Sequence, residues 1–187
     1  MDAVRVSPDR ETSVMSDGFD ALDVCHPKTL VALGRLAGLV ARLTKIGADE
    51  EAQVLAREVA EHFSGTARER HQDEERHMFP KLMSIGDAET VQAVLRLQQD
   101  HGWLEENWRE LSPYLDAVAS GQSWYDLDML REGAEVFIAL SHDHIALEES
   151  LIYPQARKLM AGGERCDMRR EMASQRRSLR TSEKANP

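Results

Sequence analysis

The sequence predicts an all-α, up-down-up-down four-helix bundle with a flexible segment before it and a charged tail after it. Apolar residues recur at intervals of three and four through four long segments. The connections between those segments are short, which makes consecutive helices antiparallel neighbours. Aromatic residues make up 5% of the chain, and glycines and prolines are few, a composition that suits helices better than strands. At 187 residues the chain has the length of one domain and can bury a substantial core.

Residues 1–19 are mixed polar, with Pro8 and Gly18, and read as a flexible lead-in. The first periodic segment starts at Asp20 or Asp23, either of which could cap a helix, and runs to about Ile46. Its apolar set is Leu30, Leu33, Leu36, Ala37, Val40 and Leu43. Pro27 is tolerated in a first turn, where backbone N–H groups have no intrahelical acceptor, and this puts His26 at the mouth of the helix. Gly47 breaks the pattern, Asp49 can cap, and a second helix follows to about Met83. Ser84-Ile85-Gly86-Asp87 reads as a turn with a new cap. The third helix covers about Ala88 to Ala119, with Pro113 as a point of bending and Val91, Val94, Leu95, Leu104, Trp108, Leu111 and Leu115 as its apolar set. Residues 121–123 separate it from a fourth helix of about Asp126 to Met160, which Gly162-Gly163 stops. The bundle is therefore expected over residues 20–162. Residues 163–187 form a charged tail whose start can make a short helix and whose end reads as disordered.

The formal charge is -10, from 33 acidic against 23 Lys and Arg residues. That balance argues against a nucleic-acid partner and against anionic membrane surfaces, both of which need concentrated positive charge. The first twenty residues lack the apolar run of a secretory signal, and no stretch is long and apolar enough to span a bilayer. Cys25 and Cys166 lie far apart with no CxxC, so neither a disulfide framework nor a zinc ribbon is indicated. A cytoplasmic location is the expectation, and Cys25 reads as a small buried thiol.

The chemistry concentrates in the histidines. There are seven, and each predicted helix carries at least one. A lone bundle histidine is ordinarily a packing residue. Here, however, His71 and Glu75 stand four residues apart, as do His144 and Glu148, so each pair shares a helix face. His101 and Glu105 repeat the spacing on the third helix. On the second helix the line Phe63, Ala67, His71, Glu75, Met78, Leu82 reads as inward, and Arg70, Glu74, His77, Lys81 as outward. On the fourth, Phe137, Leu140, His144, Glu148 and Leu151 read as inward. His62, His77 and His142 fall off these faces. Burying a carboxylate costs several kcal/mol or more without a counter-charge, and a metal ion supplies one. Imidazole and carboxylate donors without a thiolate favour iron or manganese over structural zinc.

These residues resemble the hemerythrin-like (HHE cation-binding) family. The resemblance rests on His26 of CHPKTL, His71 and Glu75 of RHQDEERHMFP, His101 of QQDHGWLEENW, and His144 and Glu148 of HIALEESLIYP, and it covers roughly residues 20–160. It implies a non-haem iron centre, usually of two irons with one as the alternative, used for oxygen or nitric oxide chemistry. The implied metal ligands are His26, His71, Glu75, His101, His144 and Glu148. If both carboxylates bridge, two six-coordinate metals receive roughly eight of about twelve bonds, and an oxo or hydroxo bridge raises that to about ten, leaving open positions for a small ligand. Trp103, Trp108 and Trp124 are candidates for its wall, with ordinary packing as the simpler role.

One departure stands out. The family's ligand histidine falls ten residues before the proline and its glutamate six before, as His144 and Glu148 do relative to Pro154. Counting back from Pro80 reaches Arg70 and Glu74, with His71 and Glu75 one position late. Either a π-bulge shifts the register or one iron has lost a ligand to Arg70. The polar line through Arg70 favours His71 and Glu75, with Glu74 as the rival carboxylate. Three functions fit: an iron protein binding O2 or NO for sensing, buffering or storage; a di-iron redox enzyme acting on peroxide, nitric oxide or damaged iron centres; or a metal-free helical interaction module. No nucleophile or acid-base dyad marks the enzymatic reading, and no protein or redox partner is indicated.

Overall fold

Aspartates start three of the four rods of the bundle and the short helix that leads into the first. Asp17, Asp49, Asp87 and Asp126 sit in extended backbone and accept hydrogen bonds from N–H groups of the turn that follows, which have no partner within the helix. They open α1 (Gly18–Asp23), α3 (Glu50–Glu61), α6 (Ala88–Ala119) and α7 (Leu127–Leu147). The computed structural model describes residues 17–185; the predicted lead-in through residue 16 and the last two residues of the tail lie outside the described residues. Asp17, rather than Asp20 or Asp23, is the first cap, and Asp20 closes a capping box on it. α2 (Cys25–Lys45) follows α1 after Val24, without a side-chain cap.

The second rod is α3, a π turn at His62–Ala67, α4 (Arg68–Asp73), a second π turn at Glu74–Met78, and α5 (Phe79–Ile85). The third is α6, uninterrupted at Pro113, whose missing N–H faces the solvent side of the helix. The fourth is α7, a π turn at Glu148–Ile152, and α8 (Tyr153–Leu159). Gly47, at φ 98°, and Gly121, at φ 69°, make the left-handed turns that let α3 follow α2 and α7 follow α6. Each rod packs on two neighbours, in the order α2, α3, α6, α7 and back to α2, which is the predicted up-down-up-down bundle. Among the described residues there is no strand, and no helix is long and apolar enough to cross a membrane.

Two of the π turns lie immediately before Phe79-Pro80 and Tyr153-Pro154. A proline has no N–H to donate, and its ring collides with the carbonyl four residues back in a regular α-helix. Widening the turn by one residue relieves both problems, with Phe79 N–H reaching the Glu74 carbonyl and Tyr153 N–H the Glu148 carbonyl.

The apolar interior falls into two clusters. One holds Leu36, Leu39, Val59, Phe63, Leu115 and Phe137; the other holds Phe19, Leu22, Met78, Phe79, Leu97 and Ile152. Apart from Thr90 near the start of α6, the buried polar residues fall between the two: His26 and Thr29, then Arg70, Asp73 and Glu74, then Asp100 and His101, then Ser141, His144 and Glu148. The fold thus sandwiches one polar layer between two dry ones. Leu30, Ala37 and Leu95, expected inside, are exposed, because the buried stripes of α2 and α6 run instead through Ala32, Leu39, Ala93 and Leu97.

The tail departs most from expectation. It forms α9 (Gly162–Ala185), longer than the short helix predicted. Met168 and Met172 bury against the second apolar cluster, and Arg176 donates to Asp73 Oδ2 at 3.0 Å, so the helix has both an apolar anchor and a charged one. Gly18 belongs to the same contact, since a Cβ there would lie 2.7 Å from Met168 Cγ. Two tail arginines therefore engage the molecule's own acidic residues, Arg176 at Asp73 and Arg165 at 3.5 Å from Asp17.

The burial pattern on α2 gives a direct check. Leu36 is 0% and Leu30 39% exposed. Leu36→Ala is expected to lower the unfolding free energy in urea by ~2–5 kcal/mol, and Leu30→Ala by less than ~1 kcal/mol.

Candidate metal centre

The polar layer brings side chains from all four rods to one place. His71, Glu74, His101 and His144 each offer a donor atom within 4.8 Å of the others. The rings of His71 and His101 stack with centroids 4.1 Å apart, and His144 lies 4.9 Å from His101 and 5.2 Å from His71. His101 Nδ1 donates to Glu75 Oε1 at 2.7 Å, which leaves the Nε2 lone pair free on the inner side.

Several of the converging atoms have no hydrogen bond. His101 Nε2, Glu74 Oε2, His144 Nε2 and Glu148 Oε1 are all buried and unpaired. Yet His101 Nε2 lies only 3.4 Å from Glu74 Oε2, and His144 Nε2 3.0 Å from Glu148 Oε1. These atoms are close without being aligned on one another. A buried polar atom left unpaired costs ~1–3 kcal/mol, so four in one pocket form an expensive arrangement unless a cation completes it. The donor set itself, imidazole nitrogen and carboxylate oxygen without a thiolate, suits a divalent transition-metal ion.

A second group lies beside the first. His26, Glu74 and Glu148 also present donor atoms within 4.8 Å of one another, and Glu74 belongs to both groups. Here a side chain already supplies positive charge. The two N–H groups of Arg70 Nη1 face three acceptors, Glu148 Oε2 at 2.5 Å, His26 Nε2 at 2.8 Å and Glu74 Oε1 at 3.0 Å, so one N–H is shared between two of them. Arg70 Nη2 donates to His71 Nε2 at 2.9 Å. His26 Nδ1 donates outward to Glu149 Oε1 at 3.0 Å, its ring stacks on Tyr153, and Tyr153 Oη donates to Glu74 Oε1 at 2.5 Å.

Charge and burial compete throughout the layer. Burial opposes ionisation of Arg70, but Glu148 and then Glu74 more than offset it and raise its pKa well above the ordinary value. Burial alone would raise Glu148; Arg70 and His144 instead hold it well below the usual carboxylate range. Burial, followed by the charge of Arg70, pushes His71 well below the usual imidazole value, so it is neutral. Burial also acts against protonated His144, but the charge of Glu148 outweighs it and lifts the pKa to about 9.

The sequence-derived residues fall into three places. His71, His101 and His144 share the first group, and His26 and Glu148 the second. Glu75 belongs to neither; its side chain is 45% exposed and holds His101 from outside. The line Arg70, Glu74, His77, Lys81, read as outward, is corrected: Arg70 is 2% and Glu74 0% exposed. That reading assumed uniform α periodicity, which the π turns at His62–Ala67 and Glu74–Met78 break. The count back from Pro80 had already pointed to Arg70 and Glu74. His62 bonds with Thr29, His77 faces Glu171, and His142 is exposed. Cys25 is buried, with its Sγ donating to the Ala21 carbonyl.

A cavity of about 120 Å³ opens onto the first group. His71, His101 and His144 line it at one end, and Phe63, Leu104, Trp108 and Phe137 form its apolar wall. Arg68 and Glu105, paired at 3.1 Å, border its outer end. Of the three tryptophans only Trp108 takes part; Trp103 and Trp124 are exposed.

Comparison with known proteins agrees with this geometry. A profile of the hemerythrin HHE cation binding domain matches residues 17–156. An uncharacterized protein of Haemophilus influenzae is 28% identical over 167 residues, 89% of this chain and 94% of its own length. Uncharacterized proteins of Mycobacterium tuberculosis and Mycobacterium bovis are 27% identical over 123 residues, 64% of this chain. The matched region spans 43% of those mycobacterial proteins.

The charges of the layer fix a pH profile for the metal-free protein. His144 is raised from 6.5 to about 9, so its contribution, about 3 kcal/mol, is fully present below pH 6.5 and lost as pH rises through about 9. His71 is depressed, so the unfolded chain takes up the extra proton and stability also falls as pH drops below 6.5. Urea midpoints of chelator-treated protein should therefore decline on both sides of that pH, and His144→Gln should flatten the alkaline limb. A level profile between pH 6.5 and 9.5 would contradict the assignment.

Proposed function

This chain belongs to the hemerythrin HHE cation-binding domain family, and from that membership we propose that it is a non-haem iron protein that binds O2 or NO beside its core, for sensing, buffering or storage. In this reading His71, Glu74, His101 and His144 hold the ion, and Glu148 Oε1 lies within reach as a further donor. The observation that carries it is the convergence of donor atoms of His71, Glu74, His101 and His144 within 4.8 Å of one another, with Glu74 Oε2, His101 Nε2 and His144 Nε2 buried and without a hydrogen bond.

Iron bound there would supply a redox-active Lewis acid with coordination positions left for a small ligand. The protein's own residues do the rest. Glu75 fixes the His101 ring through its Nδ1–H, which selects Nε2 as the ligating atom. Neutral His71 needs to lose no proton before it can ligate, whereas His144, held protonated by Glu148, has to release one. Phe63, Trp108 and Phe137 keep the inner cavity apolar, and its 120 Å³ is several times the room one water requires, enough for a diatomic to enter and turn.

Replacing Glu74 and Glu75 separately tests the ligand set. Protein made in iron-replete cells should carry well over about half an iron per chain, and Glu74→Gln should lower that at least tenfold and further than Glu75→Gln does. Near-ultraviolet and visible spectra of the reduced protein should change on exposure to air or NO. Iron content below about half per chain in the unmodified protein, or an unaltered spectrum with both gases, would sink the reading.

A further inference from the structure

The two donor groups share Glu74, and Glu148 reaches into both, in a split that separates the oxygens of each carboxylate. Glu74 Oε1 and Glu148 Oε2 are bonded to Arg70; Glu74 Oε2 and Glu148 Oε1 are unpaired and face His101 and His144. Each carboxylate therefore bridges two positions, and a guanidinium nitrogen stands in one of them. We propose that the Arg70 guanidinium permanently occupies the second cation position, so that the centre takes one divalent metal ion per chain, at His71, Glu74, His101 and His144, and not two.

The inference rests on the metal-binding reading above but concerns how many ions that centre accepts. Every atom of the second group that a metal would need is already committed to Nη1: His26 Nε2 at 2.8 Å, Glu74 Oε1 at 3.0 Å and Glu148 Oε2 at 2.5 Å. A lone pair directed at an N–H cannot also bind a metal. The guanidinium cannot clear the position by losing a proton, since arginine keeps its charge throughout the accessible pH range. Its side chain is 2% exposed, Tyr153 and the His26 ring close one side of it, and leaving the position would break its bonds to both buried carboxylates. A second divalent ion, added beside Arg70 to one already held by the first group, would set still more positive charge against the same two carboxylates.

The first group is free of these objections. Arg70 reaches it only through Nη2, which donates to His71 Nε2 at 2.9 Å. An ion there replaces that single bond, while Nη1 keeps its three. The remaining donors, Glu74 Oε2, His101 Nε2 and His144 Nε2, are the atoms with no hydrogen bond. Arg70 and one ion thus divide the layer, each taking one oxygen of either carboxylate.

Metal stoichiometry reads this directly. Metal-free protein titrated anaerobically with Fe2+, then desalted and assayed for metal, is expected to retain one ion per chain. Arg70→His, which replaces the cation with an imidazole, is expected to double that to two. Two ions in the unmodified protein would overturn the inference while leaving the metal-binding reading intact; none would remove both. An Arg70→His variant with unchanged helical circular dichroism but still one ion would also overturn it. If that variant does not fold, electron paramagnetic resonance of the unmodified protein loaded with Mn2+ decides. The six-line signal of an isolated ion supports a single site, and an exchange-coupled pair refutes it.

Discussion

The burial of Glu74 and Glu148 at the centre of the bundle is the constraint on which the rest of the structure depends. Both side chains are 0% exposed, and each would cost several kcal/mol if left alone in the interior. Their partners come from three rods, Arg70 from the second, His101 from the third, and His144 and Tyr153 from the fourth, while His26 of the first shares Arg70 Nη1 with them. Rotating any of those three rods about its axis would strip a partner from a carboxylate. The layer therefore fixes the rotation of the helices, while the apolar clusters on either side, which tolerate small adjustments, supply most of the burial.

This division explains what could be read from the sequence. The four rods were legible because their signals are local: aspartates where helices begin, glycines where the chain turns, apolar residues at helical spacing. The convergence of His71, His101 and His144 was expected because each stands four residues before a glutamate on a different helix, a repetition that a lone packing histidine does not give. Arg70 and Glu74 were misread as a solvated line for a physical reason. The inward line was counted at uniform spacing from Phe63, whereas the π turns add residues and rotate everything that follows. The shift was still recorded in the chain, since counting back from Pro80 by the distances that separate His144 and Glu148 from Pro154 reaches Arg70 and Glu74.

α9 was legible only in part because its stability comes from distant residues. The tail is strongly polar and by itself gives little reason to fold. What orders it is Met168 and Met172 on the apolar cluster of α1, beside Gly18, together with Arg176 at Asp73, a residue more than a hundred positions away. Asp73 is buried, and burial raises its pKa to about 6 despite Arg176. Neither member of that pair signals the other in sequence.

The two halves of the polar layer are chemically unequal. On one side His71, His101 and His144 face a cavity walled by Phe63, Trp108 and Phe137. On the other, His26 is sealed beneath the Tyr153 ring and Glu148 is closed off by Arg70. The cavity is lined by His71, His101, His144 and Arg70, whereas His26 is not among its lining residues, so a ligand arriving through it meets the first group before the second. In the proposed reading, charge compensation of the buried carboxylates is shared between a fixed organic cation and an exchangeable metal, and only the metal is within reach of O2 or NO. Removing the metal then leaves one carboxylate oxygen on each glutamate still bonded to Arg70. The centre keeps part of its geometry when empty, which lowers the reorganisation needed to load it.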